Sequence, residues 1–319
     1  MKFSMIWISG LFLIGTLLTF TACSSDDDGN GAVLQDIVSF AENSEDYTIL
    51  AEALKTVNLD GVLQSDGPFT VFAPDNSAFI ALLESNPDWN SLEDIPANVL
   101  TAVLTNHVLG GEVRAADLQD AYYTTLSSTD FDGAVTTLYV NLDDGVTLNG
   151  NAAVVAPDVE VSNGVIHGID AVIEMPTVVT FATSNPALSS LVAALTRDDL
   201  STDFVAALSG DGPFTVFAPT NQAFQTLLNS NDEWNTLNDI PASLLETVLT
   251  YHVSGAGNVR STDLMDGMEV PTLADESLTV NLGGESPVIE GGSSSATVLL
   301  ADVQGVNGVV HVIDTVLLP

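Results

Sequence analysis

Residues 66–74 read Asp-Gly-Pro-Phe-Thr-Val-Phe-Ala-Pro, and the same nine residues return unchanged at 211–219. Gly-Pro punctuates the chain, Phe-Thr-Val-Phe-Ala alternates as a short strand, and the closing proline stops it. Working outward, Trp89 and Trp234, Ile95-Pro96 and Ile240-Pro241, and His107 and His252 keep the same offset of 145. The offset is 146 between Arg114 and Arg260, and 141 between Leu50 and Leu191. It is 144 between Asn163-Gly164-Val165 and Asn307-Gly308-Val309, and between His167 and His311. Small loop insertions account for the drift. A period this long marks a tandem domain duplication rather than a solenoid repeat of ~20–50 residues. The 319 residues suffice for two domains of roughly 150 each. The sequence places them at 33–176 and 177–319, with Val178 to Phe181 already opening the second unit.

Each unit opens with helical spacing, as in Ile49, Leu50, Ala53 and Leu54, and again in Leu188, Leu191, Val192 and Leu195. After the strand, Asp75-Asn76 and Thr220-Asn221 offer oxygens to cap a helix that buries Phe79, Leu82 and Leu83, or Phe224, Leu227 and Leu228. Pro96 and Pro241 suit the first turn of the next helix, expected to stop at Gly110-Gly111 and at Gly255. The back half is strand-like. Leu138–Leu142 leads through Asp143-Asp144-Gly145 into Val146–Leu148 as a hairpin, and Leu278–Leu282 through Gly283-Gly284 in the same way. Helices lead and strands follow, which argues for an α+β class with a mostly antiparallel sheet.

Composition narrows the function. Five Lys and Arg stand against 43 Asp and Glu, a formal charge of −38. Phosphate binding needs cations, so nucleic acid is not an expected partner. One cysteine excludes a disulfide framework and any Cys-rich metal site. The acid clusters at Asp26–Asp28 and Asp143-Asp144 read as solvating charge, and no twelve-residue calcium loop occurs.

The N-terminus reads as an address. Lys2 precedes an apolar run from Ile6 to Phe20, and small residues precede Cys23. Phe20-Thr21-Ala22-Cys23 resembles a bacterial lipobox, with Phe20 where Leu is usual. The resemblance implies a signal peptide over residues 1–22 and lipidation of Cys23, so that the chain meets the membrane through its N-terminal lipid. The alternative is an ordinary secretory signal followed by an incidental cysteine. Residues 23–32 form a small, polar, acidic tether. Its Ser-Asp-Asp-Asp resembles the surface-export signal of Bacteroidetes lipoproteins, or is a solvated charge run facing the periplasm.

Three motifs recur in order in both copies: Gly-Pro-Phe-Thr-Val-Phe-Ala-Pro-x-Asn-x-Ala-Phe, Leu-Thr-x-His-Val, and Asn-Gly-Val-x-His-x-Ile-Asp-x-Val. Together they resemble a fasciclin (FAS1) domain, twice over. The resemblance implies two wedges or sandwiches of mostly antiparallel strands flanked by helices. It also implies a non-catalytic module for cell adhesion or extracellular-matrix contact. The second copy has Tyr251-His252 where the first has Asn106-His107, and no Arg-Gly-Asp occurs. Matrix polysaccharide or a cell-surface protein is the expected partner of an outer-membrane, surface-displayed form. A periplasm-facing structural or ligand-capture lipoprotein is the rival.

The candidate site residues each have two readings. His107 and His252 follow apolar residues at i−3 and i−4, so they either bond to backbone and lock a helix end or contact a ligand beside an exposed Tyr251. His167 and His311 alternate with Val and Ile along a strand and should face the core. Asp170 and Asp314, three residues on, point to the opposite face and make no base-and-orienter pair. Two histidines per unit on separate elements do not build a zinc site, and no nucleophile elbow or phosphate loop is present. No metal, cofactor or catalytic residue is expected. Trp89 and Trp234 lie in polar surroundings and either cover the core edge or stack on a sugar.

Overall fold

The computed structural model describes residues 34–131 and 133–319. The leader, Cys23 and the acidic tether lie outside the described residues. The first repeat runs α1 (Ile37–Asn43), α2 (Thr48–Thr56), α3 (Asp60–Leu63), β1 (Phe69–Pro74), α4 (Asn76–Ser85), α5 (Ala97–Asn106), β2 (Val108–Gly110), β3 (Ala121–Ser128), β4 (Val135–Asn141), β5 (Thr147–Leu148), β6 (Ala152–Val161) and β7 (Gly164–Ile169). The second runs α6 (Val178–Ser184), α7 (Ser189–Leu195), α8 (Phe204–Leu208), β8 (Phe214–Pro219), α9 (Asn221–Asn229), α10 (Ala242–Tyr251), β9 (Val253–Ser254), β10 (Glu269–Pro271), β11 (Ser277–Asn281), β12 (Val288–Glu290), β13 (Ser295–Gly305) and β14 (Gly308–Ile313).

Consecutive strands of the first repeat pair antiparallel, and β1 pairs parallel with β7, closing a barrel. The second repeat has the same order but is open between β9 and β10. Its parallel pair is β8 with β14. The expected wedge is thus a rolled sheet. The alternation in Phe-Thr-Val-Phe-Ala divides two cores rather than core from solvent. Val71 and Ala73 face the helices, while Phe72 fills the barrel with Leu138, Val140, Leu148 and Ile169. Val216 and Ala218, with Phe217 opposite, repeat this. A strand buried on both faces is the usual setting for parallel pairing.

Side chains from the repeated motifs fasten this seam. The Thr70 hydroxyl donates to Gly111 O (2.8 Å) and accepts from Val113 N–H (2.8 Å); Thr215 does the same with Gly257 and Val259 (2.8 and 2.9 Å). Asn163, in the turn between β6 and β7, accepts from Ile37 N–H (3.1 Å) and donates to Leu63 O (2.6 Å) and Ser65 O (2.9 Å). Asn307 does likewise with Val178, Leu208 and Gly210. One amide therefore ties the first helix, the third helix and the turn between the last two strands. Gly164 follows with φ of 153°, and a Cβ there would lie 2.8 Å from the Phe69 carbonyl carbon, too close for any other residue.

The helix caps fall where the sequence put them: Asp75 accepts from Ala78 N–H (2.8 Å) and Thr220 from Ala223 N–H (3.3 Å). The helix ends do not. α5 stops at Asn106, and Val108–Gly110, expected to be helical, is β2. The reason is competition for backbone: His107 O already accepts from Phe72 N–H (2.9 Å) in the sheet. Pro96 and Pro241 precede their helices as N-caps. The β11–β12 turn takes in Leu282–Pro287 rather than two glycines.

The two repeats form one compact unit. Tyr122 on β3 packs on Tyr139 (4.8 Å between centroids) and edge-on to Phe181 of α6 (5.7 Å), and its hydroxyl accepts from Asn185 (3.0 Å). Thr137 reaches Gln304 O (3.4 Å), and Val306 N–H donates to Pro176 O (2.8 Å). Burial pushes the Tyr122 phenol up to about 12.

Two outcomes follow from this packing. Asn163→Ala and Asn307→Ala should each cost about 2–4 kcal/mol, because a buried N–H and two buried carbonyls lose their partner. A urea titration reads this as a lowered midpoint. Tyr122→Ala should uncouple the repeats, and calorimetry should then resolve two unfolding transitions where the parent shows one.

Candidate functional site

His107 closes α5 at 2% exposure, and His252 closes α10 at 3%. In each, Nδ1–H donates to the carbonyl four residues back: Val103 at 2.7 Å and Val248 at 2.7 Å. Nε2 accepts from a backbone N–H beyond the last strand, Ile173 at 2.8 Å and Leu317 at 2.9 Å. A carbonyl only accepts and an amide only donates, so these partners demand the neutral ring. Burial pushes both imidazoles down to about 4. His167 and His311 use the opposite tautomer. Their Nε2–H donates to Val113 O (2.9 Å) and Val259 O (2.8 Å), while Nδ1 accepts from the N–H of Asp158 and Asp302 (3.2 and 3.4 Å). Their rings stack on Phe72 and Phe217 inside the rolled sheets, with centroids 5.5 and 5.6 Å apart. Burial likewise lowers His311. Every ring nitrogen of the four histidines has a backbone partner, so none is left to take a proton from a substrate or to ligate a metal.

Tyr251 corrects the sequence reading. It is 1% exposed, not exposed, and its hydroxyl accepts from Gly292 N–H (3.0 Å) while donating to Ser277 O (3.4 Å). It fills the interior of the second sheet beside Leu278 and Ile289, so its hydroxyl is closed to a ligand, and the adjoining His252 has no free ring nitrogen to offer one. His107 is withdrawn by the same burial. Trp89 and Trp234 are half-buried against the helical cores of their own repeats. Asp170 and Asp314 bond sideways to the neighbouring strand, accepting from Ala153 N–H (2.7 Å) and Thr297 N–H (2.8 Å). Among the described residues, no group of three or more His, Cys, Asp or Glu is placed to hold a metal ion.

The histidines, tyrosine and tryptophans are therefore scattered through four cores. A different set converges at the seam between repeats. Asp130 and Phe131, just after β3, face Asn258, Arg260 and Asp263, which follow β9, across a cleft of 240 Å3. Comparison of the repeats explains its chemistry. Arg114 of the first is neutralised by two carboxylates, Glu112 (2.9 Å) and Glu160 (2.8 Å). The repeat offsets of 146 and 144 put Asn258 and Gln304 in their places beside Arg260. Those two amides bond to each other instead, at 3.0 and 3.1 Å. Arg260 keeps one loose contact, Nε to Asp263 at 3.7 Å, and among the described residues its terminal nitrogens have no hydrogen-bond partner. The cleft thus combines a planar five-donor cation with two carboxylates. The signal was present in the sequence, in the two Glu positions that turn neutral while the arginine between them stays.

Comparison with known proteins places the chain. Residues 45–176 and again 186–319 match the Fasciclin domain family. A FAS1 domain pair from the insect cell adhesion molecule fasciclin I superposes with a TM-score of 0.51 at 22% identity, covering 86% of this chain and 95% of that one. The chain is a tandem fasciclin-domain protein and belongs to that family. Human periostin is 29% identical over 268 residues, 81% of this chain and 29% of periostin. Protein sll1483 of Synechocystis is 38% identical over 140 residues, 44% of this chain and 73% of that protein. The chain spans less than a third of periostin's length.

Histidine burial has a measurable consequence. His107 and His252 bind protons only near pH 4 when folded, but near 6.5 when unfolded. The unfolded chain therefore holds more protons between those values, so stability is lost as pH falls from about 6.5 to about 4 and is unaffected above. Each ring contributes up to roughly 3 kcal/mol to that loss. In denaturant titrations at stepped pH, His107→Gln and His252→Gln should each be less stable than the parent at pH 7 and show a shallower acid slope.

Proposed function

We propose that the protein is a non-catalytic adhesion module, lipid-anchored through Cys23 and displayed on the outer-membrane surface, that binds matrix polysaccharide at the cleft between its repeats. The observation that carries this reading is Arg260, released from the carboxylate pair that neutralises Arg114. A guanidinium donates to ring hydroxyls or to a uronate carboxylate. Asp130 and Asp263 accept from further hydroxyls across a predominantly polar cleft. The acidic surface supports solubility and mutual repulsion around a fixed anchor. The similar insect domain pair comes from a cell adhesion molecule, which agrees with this class of role.

Isothermal titration with acidic and neutral polysaccharides tests the site. Arg260→Gln and Asp130→Asn should each weaken binding at least tenfold, while Arg114→Gln should leave it unchanged. Equal losses from both arginine variants would assign the effect to net charge. Protease treatment of intact cells tests display: clipping of the protein supports the surface reading, and protection until the outer membrane is opened supports the periplasmic one.

A further inference from the structure

The second repeat holds a cavity of 50 Å3 among α6, α7 and α8, walled by Val178, Ala182, Leu191, Phe204, Leu208 and Val216. At its floor lies His252, whose two nitrogens are already bonded to Val248 O and Leu317 N–H, so the ring shows the cavity only carbon. The rim is Thr183, Thr196 and Val205, the last 37% exposed.

The first repeat shows what this rim has lost. The offset of 141 sets Thr183 on Glu42 and Thr196 on Lys55, and the offset of 145 sets Val205 on Asp60. In the first repeat these three are charged. Lys55 Nζ lies 2.7 Å from Glu42, and both Glu42 and Asp60 favour its cationic form. An ion pair therefore straps α1 to α2 over the same mouth. In the second repeat all three charges are gone, in a chain carrying 43 acidic residues. A neutral, partly apolar mouth on so anionic a protein selects an uncharged, apolar visitor. No cation waits for an acidic headgroup: Arg197, next to Thr196, is held by Asp199 (2.6 Å) and by the carbonyls of Leu237 (2.7 Å) and Ile240 (2.9 Å). The space is also slim, about a third of the ~150 Å3 that holds benzene in an engineered apolar cavity.

We propose that this cavity takes the end of an uncharged alkyl chain, with the polar part of the amphiphile left outside at Thr183 and Thr196. The site is separate from the cleft at Arg260 and does not depend on the polysaccharide reading.

Methyl-labelled full-length protein titrated with n-hexyl β-glucoside, and in parallel with methyl β-glucoside, reads the proposal by NMR. Saturable shifts of the Val178, Val205 and Leu208 methyls with the hexyl compound alone, while Val38 and Leu50 stay still, are the expected result. Ala182→Leu should fill the cavity and abolish the shifts. The pair Thr183→Glu with Thr196→Lys, which restores the strap without touching the core, should weaken binding at least tenfold should Ala182→Leu fail to fold. Arg260→Gln should change nothing. Methyls unmoved at millimolar hexyl glucoside, equal shifts with the methyl compound, or binding indifferent to the restored strap would each overturn the assignment. So would sedimentation showing that a second copy of the chain covers the mouth.

Discussion

A parallel strand pair cannot be made by a tight turn; the chain must travel away and return. Here it travels from Pro74 to Gly164, and from Pro219 to Gly308, before the closing strand docks beside the opening one in full register. Both strands are buried on both faces, so a slip of one residue would exchange the helical core for the barrel core. Asn163 and Asn307 prevent the slip by fixing the turn before the closing strand to two helices at once. The histidines reinforce the same seam from either side. His167 sits within the closing strand and holds the loop that Thr70 also holds, while His107 ends a helix and holds the segment leaving that strand. Most polar residues of the repeated motifs are accounted for by this one closure.

That is why so much of the fold was legible. The motif residues act on backbone close to them or at a fixed distance, and duplication prints each contact twice. The strand and the caps at Asp75 and Thr220 follow from spacing alone, whereas spacing left His107 and His252 open between backbone bonding and ligand contact until the structure showed their backbone partners. What spacing does not encode is competition between elements. Val108–Gly110 continues an apolar helix on paper and becomes a strand because an unpaired edge of β1 lies beside it. Tyr251 stands next to Thr250 and His252 and looks exposed, yet the turn that ends α10 carries its ring into the interior of the second sheet, where Gly292 meets its hydroxyl. The cleft at Arg260 is lined from both repeats, and no pattern within one repeat reports a contact between two.

Duplication also supplies a control within one chain. Positions that keep the same side chain in both repeats serve the shared closure, as Thr70 and Thr215 or Asn163 and Asn307 do. Positions that differ while their neighbours stay the same are where the copies have parted. Two similar domains with separate identical sites would act as a bivalent pair. The structure instead joins them through a buried aromatic contact and gives them different surfaces. Glu112 and Glu160 neutralise one arginine where Asn258 and Gln304 release the other.

Charge scarcity sharpens that difference. With 43 acidic residues and five basic ones, a cation has carboxylates available in every direction, and leaving one loosely paired takes specific neighbours. Lys55, Arg114 and Arg197 each contact a carboxylate within 3 Å. Around Arg260 the two nearest equivalents have become amides that satisfy each other, removing the competitors without leaving buried polar atoms unpaired. The reciprocal Asn258–Gln304 pair is a better argument for the proposed site at the seam than the cleft's shape, because among the described residues it leaves Arg260 only the loose contact to Asp263 while both amides stay bonded.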